Sequence, residues 1–147
     1  MYTIFDKLID KFKNLDVTDV IGTSISKYDL EFIAELNREQ LERGTNVAGD
    51  SLGEYSKGTE AYNNQRTTKV SGGSDIKLFD TGALYDSITA ELNKDTIDIK
   101  SDYNDSILGE LESIFKPFIG LNKENVAYVS NRIKPAIITK IKEKILN

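Results

Sequence analysis

The chain has 147 residues, with 19 Lys and Arg against 24 Asp and Glu, and a formal net charge of −5 at pH 7. It contains no Cys and no His, which excludes disulfides, thiolate nucleophiles, Cys/His zinc sites, haem ligation by His and Ser-His-Asp catalysis. Hydrophobic residues make up 39% and charged residues 29% of the chain. This composition is typical of one folded domain and too apolar for full disorder.

The charge is unevenly placed along the chain. Residues 116–147 carry seven Lys and Arg and two Glu, whereas residues 1–115 carry twelve Lys and Arg and 22 Asp and Glu. An acidic body repels duplex phosphates, so we expect no specific binding of nucleic acid. We also expect no membrane segment, because no run of about eighteen apolar residues occurs and the first residues lack the apolar core of a signal peptide.

Residues 2–15 show the periodicity of an amphipathic helix. Apolar side chains recur three and four residues apart and form one stripe, with charged residues on the other side. The stripe consists of Ile4, Phe5, Leu8, Ile9, Phe12 and Leu15. It could pack on its own core, on a neighbouring subunit or on a membrane, the last disfavoured because the polar face is mixed rather than basic. Residues 16–28 are predicted to be a connector, so that residues 1–28 precede a single domain at 29–147.

A second helix is predicted over 29–43, starting near Asp29 and ending at Gly44. The following residues, 44–75, hold six of the ten glycines and few large apolar side chains. A structureless loop of this length is uncommon inside a domain, so we expect it to be disordered in isolation or to form an extended arm that a partner orders. The candidate subunit interface combines the N-terminal stripe with apolar residues of this arm: Ile4, Phe5, Leu8, Ile9, Phe12, Leu52, Tyr55 and Tyr62.

The second half of the chain alternates between strand and helix patterns. A short strand is predicted at 76–79, a β-hairpin at 87–92 and 96–101, and a helix at 105–115. A last helix at 122–146 begins after Asn122 and is expected to be kinked or split by Pro135, which removes one backbone donor. The predicted fold class is therefore α+β: a small antiparallel β-sheet packed by a long C-terminal helix, with N-terminal helices and a long extended arm.

One short motif raises the question of catalysis. The sequence Phe79-Asp80-Thr81-Gly82-Ala83 resembles the active-site loop of retroviral-type aspartic proteases, in which two chains each supply one Asp. Those enzymes need a nearly all-β chain, whereas the residues that follow here are mostly helical in pattern, so a plain turn is the favoured interpretation. The scattered acidic residues form no calcium loop. We therefore expect no catalytic residue, no bound metal and no cofactor.

The C-terminal helix has a basic face, formed by Arg132, Lys134, Lys140, Lys142 and Lys144. Solvated cations near a helix C-terminus are the simplest interpretation, because the helix dipole favours them there. Nucleic acid, lipid and an acidic neighbour, such as the body of another copy, are the alternatives.

Two blocks of the sequence resemble those of tail-completion and virion-morphogenesis proteins of tailed bacteriophages. Residues Ile76–Ile88 are similar to the family's leucine, threonine-glycine, leucine, serine-isoleucine block, which a hairpin follows. Residues Lys116–Glu124 are similar to its arginine-proline-phenylalanine-leucine-glycine-leucine turn before the final helix, with Lys116 in place of the usual Arg. The Leu36–Leu41 helix running into a Gly-rich arm also fits these proteins. The two blocks are carried by Leu78, Asp80, Thr81, Gly82, Leu84, Ser87, Ile88, Pro117, Phe118, Gly120 and Leu121.

This resemblance covers about residues 36–145 and implies a structural virion protein without catalytic activity. It implies identical copies arranged as a ring in the neck, head-tail connector or tail, next to portal, connector or tail proteins. DNA passes through such a ring without specific binding. The resemblance also implies assembly in the cytoplasm of the host bacterium and a final location in the virion. Two alternatives stay open: a non-viral protein-interaction module and an aspartic-type protease around Asp80.

Overall fold

Three helices make up the N-terminal part of the protein. A computed structural model describes residues 3–64 and 73–147, and the three helices are α1 (Ile4–Lys13), α2 (Val17–Ser24) and α3 (Lys27–Glu42). Each begins after a side chain that accepts a backbone N–H of the first turn: Thr3, Asp16 and Ser26. The helices predicted at 2–15 and 29–43 are confirmed. The connector predicted at 16–28 is wrong, because the Asp16 cap starts a helix there.

A capping box sets the start of α3. Ser26 Oγ accepts the Asp29 N–H at 3.2 Å, and the Ser26 N–H donates to the Asp29 carboxylate at 2.9 Å. The helix therefore begins before Asp29, which occupies the third helical position. The same carboxylate lies 3.4 Å from Nε of Arg132 in the C-terminal helix, so one side chain both starts α3 and ties it to a distant element.

Residues 44–56 fold back onto the rest of the protein. The Leu52 N–H donates to the Gly44 carbonyl and the Tyr55 N–H to the Ser74 carbonyl, both at 2.7 Å, and Leu52 is buried. A short helix, α4 (Lys57–Asn64), follows. The extended arm predicted at 44–75 is therefore wrong for its first part, because backbone hydrogen bonds and a buried Leu attach that part to the core. Residues 65–72 of the predicted arm lie outside the described residues.

Residues 76–79 do not form a strand. Asp75 forms an isolated bridge with Glu54, but Leu78 has a φ of +53°, which a strand does not allow. The apolar side chains of this segment instead pack, partly buried, against the main core cluster. The predicted strand is wrong because contact with the core, rather than pairing with another strand, fixes this backbone.

A two-stranded antiparallel sheet follows the one-turn helix α5 (Ala83–Asp86). Its strands are β1 (Ile88–Asn93) and β2 (Thr96–Ser101), paired from Ile88 opposite Ser101 to Asn93 opposite Thr96. This confirms the predicted hairpin. One face of the hairpin packs on protein, whereas the other carries exposed polar side chains, including the ion pair Lys100–Glu91 at 2.7 Å.

The last two helices are α6 (Asp105–Phe115) and α7 (Lys123–Leu146). Asn104 caps α6 and Asn122 caps α7, each accepting a backbone N–H of the first turn at 3.2 and 2.9 Å. These helices confirm the predictions at 105–115 and 122–146. Because α7 runs through Pro135 without a break, the predicted split is wrong. Pro135 and Asn131 are exposed, so water can reach the carbonyl that lacks a proline N–H partner.

Two apolar clusters join these elements. The first consists of Ala34, Leu41, Leu52, Leu84, Tyr85, Ile88 and Phe118. The second consists of Ile33, Leu36 and Val129, with Ile97 and Ile99 of the hairpin packed against it. The long helix α7 thus lies on the small sheet, and the predicted α+β class is confirmed. Near its other end α7 packs against α1 and α2, where Val20 is 2% exposed.

Asp29 makes the stability of the protein pH-dependent. The hydrogen bond from the Ser26 backbone N–H, helped by the Ser26 hydroxyl and Arg132, holds the pKa of Asp29 below its ordinary 3.8, although desolvation acts to raise it. A carboxyl whose pKa is lower when folded stabilises the protein above its unfolded pKa and loses that contribution as the pH falls through the folded value. We therefore expect the stability difference between wild type and Asp29→Asn to be largest above about pH 5 and to shrink at lower pH.

Urea unfolding in a series of buffers measures this difference. Asp95→Asn, in the exposed hairpin turn, is the matched control, for which we expect a small change in stability. An Asp29→Asn effect that stays constant down to about pH 2 would contradict the prediction.

Pro135 should destabilise α7. A proline in a helix interior lowers stability by about 3 kcal/mol relative to Ala. Because proline also reduces the conformational entropy of the unfolded chain, about 0.4–1 kcal/mol of this loss is recovered. We expect Pro135→Ala to raise the free energy of unfolding by about 2 kcal/mol, measured by thermal and urea unfolding. The control is Lys134→Ala at the exposed neighbouring position, which should change stability by no more than about 0.5 kcal/mol.

Candidate interaction surfaces

Two buried amide side chains of α3 hold the turn between α6 and α7. Asn37 and Gln40 are 0% and 1% exposed. Asn37 Nδ2 donates to the Phe118 carbonyl, and the Gly120 N–H donates to Asn37 Oδ1, both at 2.9 Å. Gln40 Nε2 donates to the Gly120 carbonyl at 3.1 Å, and Gln40 Oε1 accepts the Asn122 N–H at 2.8 Å. Backbone groups outside any helix or strand are thus paired with side chains of α3, which avoids the cost of burying them unpaired.

The Lys116–Glu124 block has structural roles in this turn. Phe118 is fully buried in the first cluster, and Leu121 packs against the second. The Pro117 carbonyl accepts the Val47 N–H at 2.9 Å. Gly120 has a φ of +135°, and a Cβ there would lie 3.2 Å from Val47 Cγ2, so a larger residue would be both strained and crowded. The block therefore locks the start of α7 to α3 and to the 44–56 segment.

Arg38 joins α3 to the other block. Its Nε donates to the Tyr85 carbonyl at 3.0 Å, and its Nη2 donates to the Ile88 carbonyl at 2.7 Å. The remaining nitrogen, Nη1, contacts the carboxylates of Glu31 and Glu35 at 2.8 and 2.9 Å. Because a guanidinium presents five donors in one plane, a single side chain can satisfy the two carbonyls and still keep its ionic partners.

Several residues of the Ile76–Ile88 block are also structural. Leu84 and Ile88 are buried in the first cluster. Gly82 precedes α5 with a φ of +92°, a conformation that glycine adopts without strain. Ser87 Oγ lies 2.6 Å from Ser101 Oγ and so connects the start of β1 to the end of β2. These four block residues set the path of the chain into the hairpin.

Leu78, Asp80 and Thr81 of the same block line an open groove between the 78–84 turn and α6. The groove has a volume of about 210 Å³. Asp80 and Thr81 are exposed, and Thr81 Oγ1 accepts the Ala83 N–H at 3.3 Å. The other residues that line the groove are mostly apolar: Tyr55, Phe79, Gly82, Ala83, Leu84, Tyr103, Ile107 and Leu111. Since Ile107 is 41% exposed, the groove presents apolar surface to the outside.

Tyr85 fixes the wall of this groove. Its hydroxyl donates to the Lys77 carbonyl at 2.7 Å, and its ring packs edge-on against Phe79, with the centroids 5.0 Å apart. Burial, with a smaller effect of the nearby Glu42 carboxylate, raises the pKa of the Tyr85 phenol. The phenol is therefore a stable hydrogen-bond donor at any physiological pH, and Leu78 and Phe79 are held in place beside the turn.

The segments that form the groove contain several acidic residues. Asp105, Glu110 and Glu112 belong to α6, which contains no Lys or Arg. Asp102 precedes this helix, and Asp80 lines the groove itself. All five carboxylates belong to exposed residues, so the groove lies in a region of negative potential.

The apolar stripe of α1 is largely uncovered. Ile4 is 76%, Phe5 75%, Ile9 49% and Phe12 58% exposed, and Leu8 is half-buried. Exposed aromatic and aliphatic side chains that recur along one helix face are typical of an interaction site. The alternative in which the stripe packs on the core of its own chain is therefore wrong for these four exposed residues.

The other three residues of the candidate interface have different positions. Leu52 is 6% exposed and belongs to the first core cluster, so its assignment to a subunit interface is wrong: it is needed inside its own chain. Tyr55 is half-buried and lines the groove. The side chain of Tyr62 lies outside the described residues.

The end of the protein that carries the stripe has charges of both signs. Lys11 Nζ donates to the Ile145 carbonyl at 3.0 Å, and Lys144 forms an ion pair with Asp19 of α2, so α1 and α2 lie beside the last turns of α7. Six Lys of α1 and of the C-terminal half of α7 lie in this region, against five acidic residues of α1, α2 and the same half of α7: Lys7, Lys11, Lys13, Lys140, Lys142 and Lys144, with Asp6, Asp10, Asp16, Asp19 and Glu143.

Within residues 3–64 and 73–147, no group of three or more acidic side chains could hold a metal ion. In the same part of the chain, no buried side-chain nitrogen or oxygen lacks a hydrogen-bond partner. None of the helices described above is long and apolar enough to cross a membrane.

No family model, curated protein or solved structure matches the chain.

The roles of Asn37, Arg38 and Gln40 in holding the two blocks are not predicted from the sequence. A signal was present: Asn37 and Gln40 lie three residues apart, on the same face as the buried Ile33 and Leu41. Amides on the apolar face of a helix are costly unless they are paired, so they indicate that a polar backbone segment packs there. Which segment that is depends on the tertiary fold, and no local pattern predicts it.

Asn37 should be among the residues most important for stability. Asn37→Ala leaves the Phe118 carbonyl and the Gly120 N–H without their partner in a buried site, at about 1–3 kcal/mol for each group. We expect a loss of about 2–4 kcal/mol in the free energy of unfolding, measured by urea denaturation. The control is Glu39→Ala on the outer face of α3, with an expected change within about 0.5 kcal/mol; equal effects of the two variants would contradict the assignment.

Proposed function

We propose that the protein is a structural subunit of a tailed-bacteriophage virion, one copy of an oligomeric ring in the neck, head-tail connector or tail. The observation that carries this proposal is the uncovered apolar stripe of α1, in which Phe5 is 75% and Phe12 58% exposed. A chain whose role is to pack beside other chains needs such a surface, because apolar burial is the main driving force of association.

The resemblance to virion-morphogenesis proteins supports this proposal through the residues that carry it. Leu84, Ile88 and Phe118 are buried in the core, and Gly120 accepts and donates hydrogen bonds in the turn before α7. Because these residues lie in the core or in a turn, the resemblance that they carry concerns the fold rather than the exposed surfaces. The functional part of the proposal therefore depends on the exposed surfaces and on assembly experiments.

The charge distribution is compatible with DNA passing through a ring. The groove and α6 are acidic, and an acidic surface repels phosphates. We propose that acidic surfaces of this kind line the passage and that DNA is not bound specifically. The end that carries α1 is then turned towards protein neighbours, namely identical copies and the adjacent portal, connector or tail proteins.

We further propose that the chain is not an enzyme. Asp80 lies in an exposed turn that leads into a helix, and the described residues form one sheet of two strands. An aspartic protease of the retroviral type needs a nearly all-β frame around its paired Asp residues. The turn instead serves as one wall of the apolar groove.

A non-viral interaction module is the second candidate function, because the same stripe could bind a different protein. The two candidates differ in where the protein is found. In the virion proposal, the chain is made in the cytoplasm of the host bacterium and ends in the particle.

Purified particles from the phage or induced prophage that encodes the chain provide the test. We expect mass spectrometry to detect the protein in these particles, and deletion of its gene to abolish infectivity, with recovery when the wild-type gene is supplied in trans. Asp80→Asn should still restore at least part of the infectivity, because it replaces one carboxylate by an amide of the same shape, whereas a protease that lacks this Asp would restore none. A protein absent from particles whose infectivity survives the deletion would contradict the virion proposal and favour the interaction module.

A further inference from the structure

We infer that α6 is a hinged lid on the first apolar cluster, and that it opens about Lys116 while the rest of the protein stays folded. The opening is a motion within a single chain, so it is independent of the proposed assembly into a virion. The backbone of Lys116, the turn that follows it, and the shallow packing of α6 all point to this motion.

Lys116, the residue that ends α6, has an unfavourable backbone conformation. Its φ is +60° and its ψ is 178°, a combination that is essentially restricted to glycine. Its side chain is exposed, so no burial of that side chain compensates for the strain. The following Pro117 favours an extended ψ at Lys116, whereas the positive φ is set by the direction in which α6 leaves the turn. The strain therefore arises from holding α6 against the core.

The turn after Lys116 is fixed, so it cannot move to relieve this strain. The Pro117 carbonyl accepts the Val47 N–H at 2.9 Å. Phe118 is fully buried, and its carbonyl accepts a hydrogen bond from the buried amide of Asn37 at 2.9 Å. Relief must therefore come from the other side of Lys116. When α6 moves away from the core, the φ of Lys116 can return to a negative value.

The helix α6 lies on the core through a shallow apolar stripe. None of its residues is buried, and Leu108, Leu111 and Phe115 pack against the first cluster as partly buried side chains. Open space adjoins this stripe at two places: Leu111 lines the groove described above, and Phe115 lines a second cleft of about 130 Å³ beside Leu52. Because protein interiors are otherwise close-packed, side chains that border such clefts lack part of their possible contacts.

Polar contacts add little to the attachment of α6. Among the residues that the structure describes, one hydrogen bond joins α6 to another segment: Asn46 Nδ2 donates to the Phe115 carbonyl at 3.3 Å, which is long for such a bond. The helix contains Gly109, an unfavourable residue in a helix interior, and Glu112 near its C-terminus, where the helix dipole disfavours an anion. An isolated helix of fewer than about 12–15 residues is marginal in water, so α6, with 11 residues, should lose its helical structure once detached.

Opening thus means that α6 leaves the first cluster and unfolds locally, with Lys116 as one joint and residues 102–104 as the other. The apolar side chains between α6 and the cluster become accessible only in this open state. Local openings need less free energy than global unfolding, and the strain at Lys116 lowers this free energy further.

Native-state hydrogen exchange, followed residue by residue by NMR, measures the opening. After correction for intrinsic rates, we expect the amides of residues 108–115 to exchange through one common opening, at least about tenfold faster than the amides in the middle of α3 and α7. Amides of α6 that exchange only together with those of α3 and α7 overturn the inference, because α6 then opens only when the whole protein unfolds.

Lys116→Gly tests whether the strain belongs to the hinge. Glycine adopts this conformation without strain, so the closed state is stabilised relative to the open and the unfolded states. We expect exchange of α6, and also exchange through global unfolding, to become about three- to tenfold slower. Lys116→Ala keeps the Cβ and therefore the strain, and should leave both rates within about twofold of wild type.

Lys94→Gly is the matched control at a second lysine with a positive φ. Lys94 has a φ of +58° and lies in the hairpin turn, which stays folded when α6 opens. Relief of its strain should slow exchange through global unfolding and leave exchange of α6 unchanged.

The variants separate a hinge from ordinary local strain. If Lys116→Gly slows only global exchange, the strain persists in the open state and the hinge assignment is wrong. If Lys116→Ala slows exchange of α6 as much as Lys116→Gly, the lysine side chain rather than the backbone is responsible, which also overturns it. The wild-type exchange pattern decides the lid itself, so this part of the test does not depend on whether any variant folds.

Discussion

The amide pairing between α3 and the turn at 118–122 is the constraint on which the rest of the structure depends. This turn is buried at Phe118 and half-buried at residues 119–122, and it belongs to no helix or strand, so its backbone groups need partners from elsewhere. Asn37 and Gln40 supply them at 2.8–3.1 Å. Leaving a buried group unpaired costs about 1–3 kcal/mol, and a domain has only about 5–15 kcal/mol of net stability. The pairing also fixes where α7 begins, and with it the position of the sheet on one part of α7 and of α1 and α2 on the other.

The parts of the fold that the sequence predicts are those specified by local patterns. The hairpin follows from period-two alternation around the Asn93–Thr96 turn, and α6 and α7 follow from helical periodicity with Asn caps. The strand expected at 76–79 has the same alternation, but Leu78 turns to a φ of +53° because its neighbours pack on the core. Residues 44–56 look like a free arm by composition, yet one buried Leu and a few backbone hydrogen bonds fold them back. In both cases tertiary contacts override the local pattern.

The two candidate interaction surfaces, the stripe of α1 and the groove, also differ in whether a local sequence pattern predicts them. The stripe of α1 is continuous in sequence, so its periodicity predicts both the helix and its apolar face. The groove is assembled from Tyr55, the 78–84 turn, Tyr103 and α6, which lie far apart along the chain. No window of sequence contains it, and its acidic surroundings come from several segments. Residues that form such a site become recognisable only when the fold brings them together, and here the hydrogen bonds of Arg38 and Tyr85 hold the turn in position.

The block around the Asp-Thr-Gly turn combines two kinds of residue. Leu84 and Ile88 lie in the core, whereas Leu78 and Thr81 line the groove. The segment that guides the chain into the hairpin therefore also shapes the surface on which a partner would bind. A change in the packing of Ile88 or Leu84 would move the wall of the groove, because interiors are close-packed and transmit displacement. Substitutions that change the exposed surface without changing stability must therefore be made at the rim of the groove and on α1, where side chains do not support the core.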